Sequence, residues 1–289
     1  MTSLLNIGTR AEHRRSSLSR PPQRGLGADL SAISTSSMRG GRILRVVGGL
    51  LVLGLLVWQL GTGPLLDGLR ATTAWAVLVA LVVTAGTTWC VAMRWSLVSA
   101  RFVKSGQSRL PIRTAYVAYY RSQLINATVP GGVVGDVHRA VRHGWRGVLW
   151  ERGLGQLVQV VVVGTVLLPG AWRWAGLAVL AVALVAGGSV LVLSALAVTG
   201  HLVVFLVAAE SVGVALTPLQ LLPIGALVLL GAAIPLNVAG WGPREGVAAW
   251  AFAAFGSTAA VGLTVSVTFG VLATVATMPG LFVLGRPRD

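Results

Sequence analysis

Two short stretches bring residues able to do chemistry into an otherwise apolar chain. PGGVVGDVHRA (residues 130–140) carries Asp136, His138 and Arg139, and GWGPREG (residues 240–246) sets Arg244 beside Glu245. Asn126 and Asn237 each stand shortly before one of these stretches and add amide hydrogen-bonding groups. A charge at mid-bilayer depth costs roughly 2.5–3.5 kcal/mol on insertion scales, so Asp136, Arg139, Arg244 and Glu245 left unpaired would together cost on the order of 10 kcal/mol. They must pair, face water or meet a polar ligand. Two readings stay open: an ion pair at the end of each stretch, or a polar site for a charged lipid headgroup. In the second, the planar donor fork of Arg139 and Arg244 would contact phosphate, and Asp136 and Glu245 would hold the arginines or meet a cationic group.

The backbone of both stretches is built to break. Pro130, Gly131, Gly132 and Gly135 in the first, and Pro235, Gly240, Gly242 and Gly246 in the second, interrupt helical patterns. Gly131 with Gly135, and Gly242 with Gly246, also have the spacing at which small residues let helices approach closely, so packing alone would explain them equally well. Other reactive residues carry less. His138 and His143 are five apart, roughly 140° around a helix, which argues against a metal pair. Cys90, the sole cysteine, lies in an apolar run and reads as a small buried hydrophobe, a reactive thiol being the alternative. The sequence shows no nucleotide-binding glycine loop, metal-ligand cluster or nucleophile–base pair. No catalytic residue, metal or cofactor is therefore assigned.

The elements that must position these residues are membrane helices. The chain has 289 residues, 11% of them charged, and a mean hydropathy of +0.79; soluble domains carry roughly 25% charged residues. Its formal charge of +15 does not point to nucleic acid, because no recognition motif accompanies it. Instead the basic residues cluster before Val46 and between apolar runs, as the positive-inside rule requires. Met1–Gly41 is polar, Ser- and Arg-rich, and reads as a disordered basic cytoplasmic tail, with an organellar transit peptide as the alternative. Residues 42–285 form the polytopic membrane domain, and 286–289 a short cytoplasmic end. Runs near the 20 residues or so that a span needs lie at 43–60, 72–93, 153–168, 174–193, 194–212 and 261–284. The long run from 174 to 212 is expected to break near Ser194. Glu151 and Arg152 read as a cap on the third span, and Glu210 as a solvated carboxylate at an outer end. Trp58, Trp75, Trp145, Trp150, Trp172 and Trp174 fall where an interfacial belt would.

Two further segments, 114–137 and 219–245, are apolar but broken, the second by Pro223 as well as Pro235 and the GWGP stretch. Basic residues flank the first on both sides: Arg94, Arg101, Lys104, Arg109 and Arg113 before it, and Arg139, Arg142, Arg146 and Arg152 after it. Both flanks then belong in the cytoplasm, and the segment is re-entrant. The predicted fold is an all-α integral membrane protein of about six transmembrane helices plus two re-entrant, Gly/Pro-broken hairpins in an inverted-repeat arrangement. The protein is expected in the cytoplasmic membrane as a multi-pass chain with both termini in the cytoplasm. Hairpins entering from opposite faces are how several transporters build a site near the midplane.

These residues resemble the transmembrane, flippase-like region of the lysylphosphatidylglycerol synthase family. Asn126, Pro130, Gly131, Gly135, Asp136 and Arg139 match one family signature; Glu151, Arg152 and Gly155 match a following element loosely. Pro235, Gly240, Gly242, Arg244, Glu245 and Gly246 match the second signature. Together they cover about residues 42–284. The loop between the fourth and fifth spans, longer and polar in relatives, is almost absent, and no soluble aminoacyl-transferring domain follows Leu284. The resemblance implies a standalone lipid translocase or lipid carrier for a membrane phospholipid or polyprenyl-linked lipid. Its alternatives are a membrane transferase, or a structural partner of a separately encoded lipid-modifying enzyme.

Overall fold

The computed structural model describes residues 47–102, 110–129, 132–186, 188–234, 236 and 241–284. All belong to the unit Arg42–Asp289. The expected tail Met1–Gly41 and the last residues, 285–289, lie outside the described residues, as do Pro130, Gly131, Pro235, Asn237 and Gly240. Every element among the described residues is a helix. Those of eight residues or more are, in chain order, α1 (Val47–Leu60), α2 (Gly63–Arg70), α3 (Ala74–Ser99), α4 (Ile112–Thr128), α5 (Val134–His143) and α6 (Trp145–Leu167), then α7 (Ala171–Ala186), α8 (Ser189–Val212), α9 (Pro218–Ala233), α10 (Pro243–Ala254) and α11 (Ala259–Thr277).

Three helices are long and apolar enough to cross a membrane, Ala74–Phe102, Ser189–Val212 and Ala259–Gly280, or four if α1 and α2, bent by 100°, count as one span. The chain is thus an all-helical membrane protein with several candidate spans. Local chemistry sets several helix starts. Thr73, Thr217 and Thr258 cap α3, α9 and α11, each accepting a hydrogen bond from a backbone N–H three residues on. At α9 the Gln220 side chain reaches back to the Thr217 backbone and completes a capping box.

The core lies where α3, α8, α9, α10 and α11 meet, around Phe205, Phe252 and Phe269. Phe205 packs its ring 6.4 Å from Phe252 and 6.0 Å from Phe269, centroid to centroid. A second cluster, centred on Trp95 and Tyr119, joins α3 to α4 and α6. The six tryptophans assigned to an interfacial belt are all exposed, Trp58 by 80%.

Three boundaries differ from the sequence expectation. The long apolar run breaks between Ala186 and Ser189, not near Ser194. Gly188 takes φ +70°, a left-handed conformation that glycine adopts without cost, whereas Ser194 sits inside α8 and donates to the Val190 carbonyl. Pro223 does not break its segment either, because α9 runs through it. Finally, α3 continues six residues beyond Met93, so Arg94 belongs to the buried wall of a helix and not to a free basic flank.

Candidate functional site

The first broken segment is a hairpin. Its arms, α4 and α5, meet antiparallel: the Gly135 N–H donates to Asn126 Oδ1 at 2.7 Å, Ser122 Oγ donates to Asp136 Oδ1 at 3.1 Å, and Arg139 lies over the Tyr119 ring at 4.1 Å. Gly135 is required for that closeness. A Cβ there would overlap the Ser122 backbone, which gives the glycine a packing role at a named contact.

Asp136 and Arg139 do not form an isolated pair. Arg139 Nη2 donates to Asp136 Oδ1 at 3.0 Å and to Glu151 Oε2 at 3.1 Å. Glu151, fully buried on α6, also pairs with Arg94 of α3 and accepts from the Tyr119 hydroxyl at 3.2 Å. Arg94 Nη1 in turn donates to Ser194 Oγ of α8 at 2.9 Å. Asp136 accepts from Asn126 Nδ2 at 2.9 Å and pairs with Arg152 of α6. Five charged side chains from three helices therefore share one network, three cations against two anions. Its buried donors are not all hydrogen-bonded: Arg139 Nε and Nη1 have no such partner, but the guanidinium lies over both the Tyr119 and Trp95 rings, at 4.1 and 4.5 Å, where ring quadrupoles stabilise it.

Arg94, Glu151 and Arg152 are the site residues that sequence does not assign. Arg94 passed for a flank because it follows an apolar run, and Glu151 for a helix cap. Charge balance could have found Glu151: between Asp136 and Glu210 it is the sole acid, in a region rich in arginine. The neighbouring Gly155 also gains a purpose, since a Cβ there would crowd the Arg94 guanidinium.

The second broken segment joins α9 to α10, and Gly231 packs beside Val247 and the Arg244 backbone. Glu245 is fully buried. Its Oε2 accepts from the Gly242 N–H at 2.6 Å, and its Oε1 accepts from Arg244 Nε at 2.8 Å and Ser266 Oγ at 3.2 Å. The carboxylate thus caps the start of α10 and neutralises its neighbour. Gly242, at φ +131°, holds a conformation that favours glycine. Gly246 faces Val52 of α1. Trp241 and Phe269 flank the Arg244 guanidinium at 5.3 and 5.5 Å.

A cavity of about 300 Å³ lies between the two broken segments. Asn126 and Gly132 line it from the first, Trp241 and Arg244 from the second, with Arg152 between them. A second cavity of about 260 Å³ shares Gln123, Arg152, His201 and Ala232 with it. The depth is central: His201 is the thirteenth of 24 residues in α8, and Thr84, also on the wall, the eleventh of 26 in α3. Most site cations face inward, with the Arg94, Arg139 and Arg244 side chains at most 8% exposed. The Arg152 side chain is 43% exposed and opens on the cavity. The outermost cation of this net-positive network therefore stands at the edge of the cavity. Among the described residues, no group of three His, Cys, Asp or Glu side chains could hold a metal ion; His143 instead packs edge-on to Trp95.

No family model, curated protein or solved structure matches this chain.

Proposed function

We propose that the protein is a lipid translocase or lipid carrier of the cytoplasmic membrane, related to the flippase-like region it resembles in sequence. The headgroup occupies the chamber between the two broken helix pairs while acyl or prenyl tails stay in hydrocarbon. One observation carries this reading: arginines from separate helices, Arg152 and Arg244, line one mid-depth cavity of about 300 Å³, and one of them is held by a network with a positive charge in excess. Cavities of this size are at the small end of ligand sites, which suits a headgroup rather than a whole lipid.

The residue roles divide accordingly. Arg139, sandwiched between rings and carboxylates, positions Asp136. Asp136, itself fixed by Asn126, holds Arg152, and Glu245 holds Arg244; the two held guanidiniums contact the phosphate. In the wider fold, the broken pairs α4–α5 and α9–α10 are the two re-entrant elements of an inverted repeat, completed by six spans. Short broken helices at membrane depth are tolerated where they line a polar cavity, and α9, at 16 residues, is shorter than a span needs.

Mass spectrometry of lipids copurifying with the full chain tests this reading. Wild-type protein is expected to retain an anionic lipid that Arg244→Ala loses. Equal lipid profiles from both proteins would contradict it.

A further inference from the structure

An ionisable side chain at mid-bilayer depth is expensive unless it faces a partner or a cavity, and His201 of α8 stands at that depth. Its ring lines both cavities, at the place where they meet beside Arg152. Nδ1 lies 2.6 Å from the Ala197 carbonyl oxygen. A carbonyl oxygen only accepts, so Nδ1 carries the proton and the neutral ring keeps a bare lone pair on Nε2. Among the described residues Nε2 has no hydrogen-bond partner. Ring position, depth and the bare nitrogen agree on one purpose.

We propose that His201 is the proton-binding contact of the headgroup site: Nε2 takes a proton from solvent as a phosphodiester anion enters, so anion binding strengthens as pH falls. This rests on the headgroup reading above. A neutral Nε2 can only accept, and a phosphodiester oxygen offers it no donor. The protonated ring donates a charge-assisted hydrogen bond. Histidine is the side chain whose ordinary pKa lets this happen between pH 5 and 8.

The surroundings set the direction of coupling. Arg94 lines the smaller cavity from α3, held by Glu151 and Ser194; Arg152 lines both from α6, held by Asp136; Arg244 lines the larger from α10, held by Glu245. Helix α4 contributes Tyr119, Gln123 and Asn126, while α9 and α11 contain no ionisable side chain. Three arginines oppose a further positive charge while the site is empty, and an entering anion reverses that balance. By linkage, the proton raises the anion's affinity by the same factor as the anion raises the proton's.

The test uses the purified full chain in neutral detergent and dihexanoyl phosphatidylglycerol, a phosphodiester whose charge is constant between pH 5.5 and 8, followed by titration calorimetry. Wild-type affinity is expected to be about tenfold tighter at pH 5.5 than at pH 8, the difference between a charge-assisted hydrogen bond and a neutral contact. The binding enthalpy should vary with the buffer's ionisation enthalpy, reporting proton uptake without any variant. His201→Gln should bind at the wild-type pH 8 affinity across the whole range. A pH-independent wild-type affinity without proton uptake, combined with weakening by Arg152→Gln, overturns the histidine proposal and leaves the headgroup site standing. A wild-type pH slope retained in His201→Gln also overturns it. Absence of phosphodiester binding at both pH values overturns the headgroup reading together with this proposal.

Discussion

Replacing Glu151 by glutamine should unsettle the fold more than any other single isosteric change in the charged network. Glu151 is fully buried and compensates two arginines, Arg94 and Arg139, whose side chains are only 6% and 1% exposed. Glutamine keeps the shape and one acceptor. It removes the charge, raises the network's excess from one positive charge to two, and aims an N–H₂ at arginine donors. Stripping one partner from a buried ion pair costs roughly 3–5 kcal/mol. Asp136→Asn is the control: of its two partners, Arg152 is 43% exposed and lines the cavity, and the buried Arg139 keeps Glu151 as a second carboxylate. Its cost should be about 1–3 kcal/mol, the range for a lost buried hydrogen-bond partner. Reversible unfolding in mild detergent measures both, and Arg94→Gln combined with Glu151→Gln should recover part of the loss, because one of the stranded charges is gone. A Glu151→Gln protein within about 0.5 kcal/mol of wild type, or one as stable as Asp136→Asn, would refute the buried network as a source of stability.

Two further outcomes follow from particular contacts. A Cβ added at Gly270 would overlap Arg244 Nη2, the far end of a flexible side chain, so Gly270→Ala should fold nearly normally. It should nonetheless lose about tenfold or more in lipid movement, as expected when a charge-assisted contact to phosphate is displaced; unchanged movement would separate Arg244 from function. For topology, cysteines placed at Gly106 and Arg142 in a Cys90→Ala background should be labelled from the same side of the membrane, and opposite-side labelling would make α4 and α5 a full crossing.

The sequence shows helices wherever apolar runs are long, and it shows both breaks, because proline and glycine act locally. Asn126, Asp136 and Arg139 were legible for the same reason: they fall within one hairpin, and charges in an apolar stretch stand out. Arg94 and Glu151 were not. Arg94 joins the site through Glu151, 57 positions away, and Glu151 reaches Arg139 of the hairpin from the next helix, 12 positions on. Nothing local distinguishes a buried arginine at a helix end from a cytoplasmic flank, or a buried glutamate from a helix cap. The roles within the site were also hidden. Sequence alone offers Arg139 to a phosphate, yet the packing of Trp95 and Tyr119 on its guanidinium encloses it and leaves Arg152 on the cavity wall. Likewise Glu245 reads as one member of a pair, and only the fold of the chain at Gly242 shows that it also caps α10. His201, one polar residue in a long apolar helix, drew no attention without the cavity beside it.

Lipid movement in reconstituted vesicles tests the central claim most directly. Vesicles carrying a fluorescent headgroup-labelled phosphatidylglycerol are treated with an external quencher, and the fraction protected is followed for wild type, Arg152→Gln and Arg244→Lys. Wild-type protein should expose inner-leaflet lipid to the quencher. Arg152→Gln removes the charge at the cavity edge and Arg244→Lys keeps its charge but loses the planar fork, so each should slow that exposure about tenfold or more while remaining folded, the loss expected for one charge-assisted contact. Wild-type vesicles that protect as much lipid as empty ones, or folded variants that move lipid at the wild-type rate, would contradict it.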